Sequence, residues 1–260
     1  MSELCIRFFR HQARVAVLIA LALSVVPARA AEISVLSGGA AKSGLSAVQE
    51  AFEKGSGDKL LLDYAPMGPL IKKLEAGATP DLVIVTTDVL ADVKAKGWIV
   101  PESVVEIGRV GVGVAVHESA ELPDISTPEA FKALLLKARS IAMINPENGT
   151  SGKHLAKVFQ DLGIAEAIRP KLKLADQGYA VAPVATREAE IGLQQITEIL
   201  PVKGVKLVGP LPAALQKETV YIGAVGSKAK NADAARRLLA FLRTPDARVA
   251  FVKQGYMAEK

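Results

Sequence analysis

The sequence predicts an α/β protein of two lobes, each a mainly parallel sheet flanked by helices, with a ligand cleft between the lobes. Short apolar runs alternate with segments whose apolar residues recur at helical spacing, which is typical of a covered parallel sheet. Long extended segments, such as residues 109–116, join two such halves of the chain. Open parallel sheets bind ligands at the carboxyl ends of their strands, so loops of both lobes should face the cleft.

The first half of the chain contains three strand and helix pairs. The strands are expected at 33–36, 59–64 and 81–85, and the helices at 45–52, 70–74 and 89–96. Gly97 is expected just beyond the third helix, because glycine adopts the left-handed conformation that ends many helices. Three successive loops therefore meet at one edge of the first sheet.

The second half resumes the same alternation after the extended segment. Thr127 is expected to cap a helix that has Pro128 at its first position. The other strands are expected at 140–144, 171–175, 205–208 and 219–225, and the other helices from 152, at 185–200, at 232–242 and at 245–254. Lobe 1 is accordingly predicted to hold residues 31–109 and 219–260, and lobe 2 residues 110–218, with hinges near 108–110 and 207–219.

Residues 1–30 are predicted to be a cleaved signal peptide. Arginines lie within 7–14, an apolar run follows at 15–26, and 27–30 ends in the small-x-small pattern of a cleavage site. A membrane anchor is the alternative, but the apolar run is shorter than the roughly 20 residues that span a bilayer. The mature chain is therefore expected to begin at about Ala31 and to reside in the periplasm.

Composition suits a globular protein, with 50% hydrophobic and 23% charged residues in a chain of 260. Residues 1–30 contain four of the 32 basic and one of the 27 acidic residues, so their removal lowers the net charge from +5 to +2. The mature chain thus offers no charge argument for nucleic acid. Its one cysteine, Cys5, belongs to the predicted signal peptide, so disulfides are not expected.

Two small-residue loops are the strongest indication of a binding site. Residues 37–43 (SGGAAKS) follow the first strand, and residues 149–152 (GTSG) lie between a strand and a helix in the other half. Such loops leave backbone N–H groups free at a helix N-terminus, where an anion is favoured. Neither loop has a dinucleotide or P-loop pattern. Tight turns are the alternative, but two such loops facing one cleft favour an anion site.

Arg109 begins the extended segment that should border the cleft, where it would grip a carboxylate through two parallel hydrogen bonds. The alternative is a surface ion pair with Glu106.

Enzyme signatures are few, because Ser151 lacks the G-x-S-x-G elbow and the two mature histidines, His117 and His154, have no zinc-site spacing. The sequence therefore predicts a binding protein that is not an enzyme and carries no cofactor.

Several stretches together resemble the periplasmic molybdate-binding, solute-binding proteins of ABC transporters. They are SGGAAKSGL, LIKKLEAGATPDLVIVTTDVLADVKAKGWI, GRVGVGVAV, GTSGKHLAKVFQDLGI and AARRLLAFLRTPDARVAFVKQGY. The resemblance covers essentially the whole mature chain. It implies a type II periplasmic binding protein whose lobes close over a solute, with an ABC-transporter membrane permease as its partner. We also expect a monomer.

The resemblance implies that serine hydroxyls, backbone amides and a tyrosine hold an oxyanion. It places the first serine at Ser37, but no serine occurs at 65–69 (APMGP), and Gln195 stands where the family has its tyrosine. These departures favour a larger, partly organic ligand, because Met67 offers an adaptable apolar contact and glutamine both donates and accepts. The predicted ligand-binding residues are Ser37, Gly38, Gly39, Ala40, Met67, Gly68, Thr87, Arg109, Thr150, Ser151, Gly152, Gln194 and Gln195.

The predicted function is capture of a small anion and its delivery to an ABC-type importer. A small organic acid is placed ahead of molybdate or tungstate as the ligand. A protein that senses the ligand for a membrane receptor has the same cleft chemistry and stays an alternative.

Overall fold

The computed structural model describes residues 30–258, which fold into two lobes with one five-stranded sheet each. The first sheet contains β1 (Glu32–Gly38), β2 (Lys59–Ala65), β3 (Leu82–Thr86), β4 (Val105–Val110) and β10 (Thr219–Val225). The second contains β5 (Val112–His117), β6 (Ile141–Ile144), β7 (Leu172–Ala175), β8 (Ile191–Gln195) and β9 (Val205–Pro210). The predicted two-lobed α/β fold is confirmed, while residues 1–29 of the predicted signal peptide lie outside the described residues.

The two sheets have matching topologies. The strand orders are β2-β1-β3-β10-β4 and β7-β6-β8-β5-β9. In the first sheet β1 pairs in parallel with β2 and β3, and β10 is antiparallel to β3 and β4. In the second sheet β6 pairs in parallel with β7 and β8, and β5 is antiparallel to β8 and β9. Each sheet is therefore mainly parallel, and its one reversed strand arrives directly from the other lobe.

Helices follow most strands and cover the sheets. In chain order they are α1 (Lys42–Ser56), α2 (Met67–Glu75), α3 (Leu90–Ala95), α4 (Pro128–Lys137), α5 (Thr150–Asp161), α6 (Ala165–Ile168), α7 (Ala182–Ala185), α8 (Ile196–Ile199), α9 (Ala232–Leu242) and α10 (Pro245–Lys253). Thr127 caps α4 by accepting a hydrogen bond from Ala130 N at 3.1 Å, and Gly97 has a φ of 66° after α3. Both of these predictions are confirmed. No helix among residues 30–258 combines the length and apolar character needed to cross a membrane.

The helix predicted at 185–200 is wrong. The structure has α7, β8 and α8 there, and every residue of β8 is buried between β6 and β5. A strand that is buried on both faces has no polar–apolar alternation, so periodicity alone does not distinguish it from a helix. The extended run at 109–116 is also divided, because Gly111 separates β4 from β5 in the other sheet.

The core of the first lobe lies on both faces of its sheet. Leu82 and Ile84 of β3 pack in one cluster with α1 and α9, whereas Val83 and Val85 pack in the other with α2. This alternation follows from the period of two in a strand, and it buries both faces of the sheet. Each fully buried aliphatic side chain contributes about 1.5–3 kcal/mol relative to exposure. The covered sheet is thus a rigid support for the loops at its edge.

The chain passes between the lobes at Gly111 and at residues 211–218. Gln216 of the second crossover binds Val112 beside the first one. Its Oε1 accepts from Val112 N at 2.9 Å, and its Nε2 donates to Val112 O at 2.7 Å. This side chain ties the two crossovers together. The predicted lobe limits of 31–109 with 219–260 and of 110–218 fall beside these crossing points and stay a prediction.

Candidate functional site

A cavity of about 300 Å³ lies between the lobes, among loops that leave both sheets. The first lobe contributes Gly39, Ala40, Lys42, Tyr64, Ala65, Pro66, Met67 and Tyr221. The second lobe contributes Ile144, Gly149, Thr150, Ser151, Gln177, Gly178, Tyr179, Gln195 and Glu198. Both small-residue loops singled out in the sequence therefore reach the same cavity.

The first loop reaches the cavity with only part of its length. Gly39 and Ala40 line it, in a short 3-10 turn before α1. Ser37 is fully buried and donates its hydroxyl to Gly38 O at 3.1 Å, so it does not line the cavity. Gly38 lies beneath Met67 and Tyr221, since a Cβ there would be 2.6 Å from Met67 Cε. Gly38 therefore lets those two side chains close over the loop.

The turn after β2 supplies an aromatic wall and a contact between the lobes. Tyr64 lines the cavity, and its buried hydroxyl has no hydrogen-bond partner among residues 30–258. Burial raises the pKa of Tyr64 to about 12, so the hydroxyl remains neutral. Met67 also lines the cavity, whereas Gly68 does not. Instead, Gly68 N donates to Asn148 O in the second lobe at 2.9 Å.

The second loop places the start of α5 at the cavity. Gly149 is the N-cap residue, and Thr150 and Ser151 line the cavity from the first turn, where backbone N–H groups lack partners within the helix. Gly152 packs directly against the carbonyl group of Ile144 and does not line the cavity. The absence of a side chain at Gly152 is what allows the helix to begin so close to β6.

The two adjacent glutamines of β8 have different surroundings. Gln195 lines the cavity, and its Oε1 accepts from the Tyr221 hydroxyl at 2.7 Å. Its Nε2 is buried and has no partner in the described part of the chain. Gln194 faces away and binds the loop near Tyr179, donating to Gly178 O at 2.9 Å and accepting from Val181 N at 3.3 Å. Gln194 thereby supports the cavity wall without lining it.

Lys42 is the one cationic side chain among the described residues that line the cavity. Its Nζ lies 5.8 Å from the ring centroid of Tyr64 in the first lobe and 5.4 Å from that of Tyr179 in the second. Both distances are within reach of a cation–π interaction. The two rings position the ammonium group at the junction of the lobes, where it can meet an anionic ligand.

Glu198 brings a carboxyl group into the same cavity from α8. Its Oε1 lies 3.0 Å from where a Cβ would stand on Gly39, so the carboxyl group abuts the backbone of the opposite lobe. Burial raises the pKa of Glu198 to about 8. The carboxyl group is therefore mostly protonated at pH 7 and can donate a hydrogen bond.

Two predicted site residues lie away from this cavity. Arg109 is exposed, donates from Nε to Glu106 Oε1 at 2.8 Å and pairs with Glu218 at 3.5 Å. Arg109 therefore forms the surface ion pair with Glu106 that was the alternative prediction for this residue. Thr87 is exposed in the 3-10 turn before α3. Neither residue lines the cavity.

Sequence reasoning missed six of the polar lining residues, namely Lys42, Tyr64, Gln177, Tyr179, Glu198 and Tyr221. Tyr64 stands near the carboxyl end of β2, where the rule for open sheets places ligand contacts. Glu198 was hidden by the helix wrongly predicted at 185–200. No group of three or more His, Cys, Asp or Glu side chains suited to a metal ion occurs in residues 30–258.

Comparison with known families decides the class of this protein. The family described as bacterial extracellular solute-binding protein matches residues 33–257. The chain belongs to this family. The resemblance to molybdate-binding proteins is also confirmed, because the molybdate-binding protein ModA of Escherichia coli is 26% identical over 233 residues, covering 86% of this chain and 88% of that protein.

A second relative has a different activity in its name. The aconitate isomerase of a Pseudomonas species is 33% identical over 246 residues, which covers 91% of this chain and 93% of that enzyme. The solute-binding family thus contains binding proteins in the main, together with a relative named as an enzyme. The family implies a small solute in the cleft and an ABC-transporter permease as partner.

Solved structures agree on the fold. The periplasmic molybdate-binding protein of Azotobacter vinelandii superposes with a TM-score of 0.75 at 17% identity, covering 88% of this chain and all of that one. The sulfate-binding protein SubI of Mycobacterium tuberculosis gives a TM-score of 0.71 at 18% identity, with coverages of 87% and 86%. At such identities the likeness concerns the fold.

Proposed function

We propose that this protein is a periplasmic solute-binding protein that captures a small organic acid in the cavity between its lobes and delivers it to an ABC-type importer. The observation that carries the proposal is the buried, unpartnered Nε2 of Gln195 in the cavity wall. An unpaired buried donor costs about 1–3 kcal/mol, which an acceptor on the ligand would recover.

The charges of the lining favour an anion. Lys42 contributes a positive charge, and Glu198 contributes none while it is protonated. The first turn of α5 adds backbone N–H groups, and the positive end of that helix favours negative charge. Tyr64 and Tyr221 remain neutral hydroxyls, because burial raises the pKa of each above its usual value.

The apolar part of the lining favours carbon over a bare oxyanion. Met67 and Ile144 border the cavity with Ala65, and none of their side chains offers a donor to an oxygen. A tetrahedral oxyanion presents only acceptor atoms. Its oxygens would lie against these apolar side chains without a hydrogen-bond donor. A volume of about 300 Å³ is at the lower end of the range for small-molecule sites. A small carboxylic acid matches both parts of the lining, because its carboxylate suits the polar part and its carbon skeleton suits the apolar part.

The relatives support the same choice. The relative at 33% identity is named for aconitate, an unsaturated tricarboxylic acid, whereas that at 26% is named for molybdate. Molybdate or tungstate binding stays the alternative for a binding protein. A ligand-sensing role for a membrane receptor also stays open, since the chemistry of the cavity is the same for either partner.

Isomerisation of the bound acid is the second candidate function. The specific observation that favours it is Glu198, a carboxyl group in the cavity with a pKa near neutral pH. Pure capture of an anion uses only the protonated form of such a group, as a donor, whereas proton transfer uses both forms, and a pKa near neutral pH makes both available. The 33% sequence identity to an enzyme named aconitate isomerase agrees with this candidate.

A thermal-shift screen of the purified protein tests the primary proposal. The panel contains trans-aconitate, cis-aconitate, citrate, succinate, malate, molybdate, tungstate, sulfate and phosphate. A ligand at about 100 times its Kd adds about 2.7 kcal/mol to the free energy of unfolding, which raises Tm measurably. We expect shifts with di- or tricarboxylates. A shift with molybdate or tungstate alone would replace the proposal by its oxyanion alternative.

A further inference from the structure

The carboxyl group of Glu198 can donate a hydrogen bond to an anion when it is protonated, but it can also accept a proton when it is ionised. It lies on α8, directly after β8, and meets the backbone of Gly39 from the opposite lobe. No ion pair of Glu198 with Lys or Arg is present among residues 30–258. A carboxyl group in an enclosed ligand cavity without a cationic partner is unusual for a structural role, because burial of a lone charge is costly.

The surroundings of Glu198 keep its proton available. Burial raises the pKa values of Tyr179, Tyr221 and Tyr256, and the nearby negative charge of Glu198 adds a smaller effect, so all three are neutral groups in its surroundings. Lys42 is the cation that shares the cavity with Glu198. A general base works best when its pKa is close to the operating pH, which holds for a carboxyl group with a pKa of about 8.

Resting on the proposed binding of an organic acid, we propose that Glu198 is a catalytic residue that moves a proton between two carbons of a bound unsaturated polycarboxylic acid. The carboxylate of Glu198 takes a proton from a CH₂ group that lies between a carboxylate and a C=C bond. The electron pair of that C–H bond forms the new double bond, and the pair of the old C=C bond moves to its far carbon. Glu198 then returns the proton to that carbon.

The reaction balances without any other reactant. One C–H bond breaks, another forms, the double bond shifts by one position, and Glu198 ends in its starting state. Negative charge spreads from the carbons onto the adjacent carboxylate during the transfer. Lys42, the N–H groups at the start of α5 and the free Nε2 of Gln195 surround the cavity where that charge develops. Such fixed donors stabilise developing charge most effectively in an enclosed site.

Proton nuclear magnetic resonance in D₂O tests this role directly. The purified protein is incubated with trans-aconitate, and both deuterium entry into the ligand and appearance of the cis isomer are followed. Glu198→Gln keeps the shape and hydrogen-bonding capacity of the protonated side chain but cannot accept the proton. We expect this variant to bind trans-aconitate by calorimetry and to lose at least 100-fold in rate, the usual contribution of general acid–base catalysis.

Glu166→Gln is the matched control, because Glu166 is exposed on α6 and pairs with Arg169. It should keep the rate of the unmodified protein. The rate should also rise with pH and level off above about 8, as more Glu198 becomes ionised, which a structural role would not produce.

The outcomes separate this proposal from the proposed function. Binding of trans-aconitate without exchange or isomerisation overturns the catalytic role and leaves organic-acid capture standing. Exchange that persists in Glu198→Gln overturns the assignment of Glu198. Failure of trans-aconitate and the other carboxylates to bind overturns both proposals. Binding by both proteins, with isomerisation only in the unmodified one, supports the catalytic role whether or not deuterium enters the ligand.

Discussion

The hydroxyl of Tyr221 donates a 2.7 Å hydrogen bond to Oε1 of Gln195, and this bond joins the two lobes at the wall of the cavity. Tyr221 belongs to β10 of the first sheet and Gln195 ends β8 of the second. Because Oε1 is engaged, the unpartnered Nε2 is the group that remains for a ligand. One contact thus couples lobe closure to the orientation of a ligand donor.

Tyr221→Phe removes the hydroxyl group that makes this contact and keeps the aromatic ring. Gln195 then loses its fixed orientation, so we expect ligand affinity to fall about three- to tenfold, the equivalent of one hydrogen bond of about 1 kcal/mol. The fold should be retained. Titration calorimetry against the best carboxylate of the screen measures the effect. Unchanged affinity would show that the Tyr221–Gln195 bond does not orient the site.

Gly68→Ala tests whether the ligand requires close approach of the lobes. A Cβ at position 68 would lie 3.1 Å from Glu147 O and 3.4 Å from Asn148 Cα, so the lobes would have to separate slightly. We expect weaker ligand binding with an unchanged circular dichroism spectrum. Gly55→Ala is the matched control, because position 55 is exposed on α1 with nothing within 4 Å of the added atom. Equal affinity in the two variants would contradict the role given to Gly68.

Glu198→Gln should make stability less sensitive to pH. The pKa of Glu198 in the folded protein, about 8, exceeds its ordinary value of 4.5, so folding strengthens proton binding. The stability that this gives is fully present below pH 4.5 and is lost as the pH rises towards 8. The side chain of the variant does not ionise. Its free energy of unfolding should therefore rise relative to that of the unmodified protein over this pH window, by on the order of 1–3 kcal/mol.

Urea denaturation at intervals from pH 5 to 9 measures this difference, with Glu166→Gln as the control for loss of an exposed carboxylate. A difference in unfolding free energy that stays constant with pH would show that the pKa of Glu198 is not raised.

Gln216→Ala tests the tie between the two crossovers. The substitution leaves Val112 N and Val112 O without their 2.9 Å and 2.7 Å partners. Loss of two partly buried hydrogen bonds should lower the free energy of unfolding by about 1–3 kcal/mol. Gln160→Ala on the exposed face of α5 is the control. Equal stabilities of the two variants in urea denaturation would mean that water satisfies the Val112 N–H and C=O groups as well as Gln216 does.

Much of the fold follows from local patterns. Thr127 before Pro128 and Gly97 after α3 are placed correctly, because caps depend on chemistry within a few residues. The strand at Ile191–Gln195 could not be recognised in the same way. Its burial comes from pairing with β6 and β5, and those contacts lie far away in sequence.

The candidate site was predicted mainly where backbone loops form it, together with Met67 and Gln195, to which the comparison with the family pattern pointed. Gly39, Ala40, Thr150 and Ser151 line the cavity, as the loop patterns indicate. Tyr221 could not be recognised, because its strand enters the sheet in reverse and the rule for parallel strands does not cover it. Arg109 is a charged residue whose nearby acid, Glu106, engages it before a ligand can. Side chains that meet across lobes leave no signal in local spacing.

A carboxylic acid is proposed to bind between the lobes with Lys42 as its cationic partner. Titration calorimetry of trans-aconitate against the unmodified protein, Lys42→Met and Lys153→Met tests it most directly, since Lys153 is exposed on α5 and does not line the cavity. We predict equal binding by the unmodified protein and Lys153→Met, and at least tenfold weaker binding by Lys42→Met. Equal affinities in all three proteins, or binding of molybdate in place of trans-aconitate, would contradict the account.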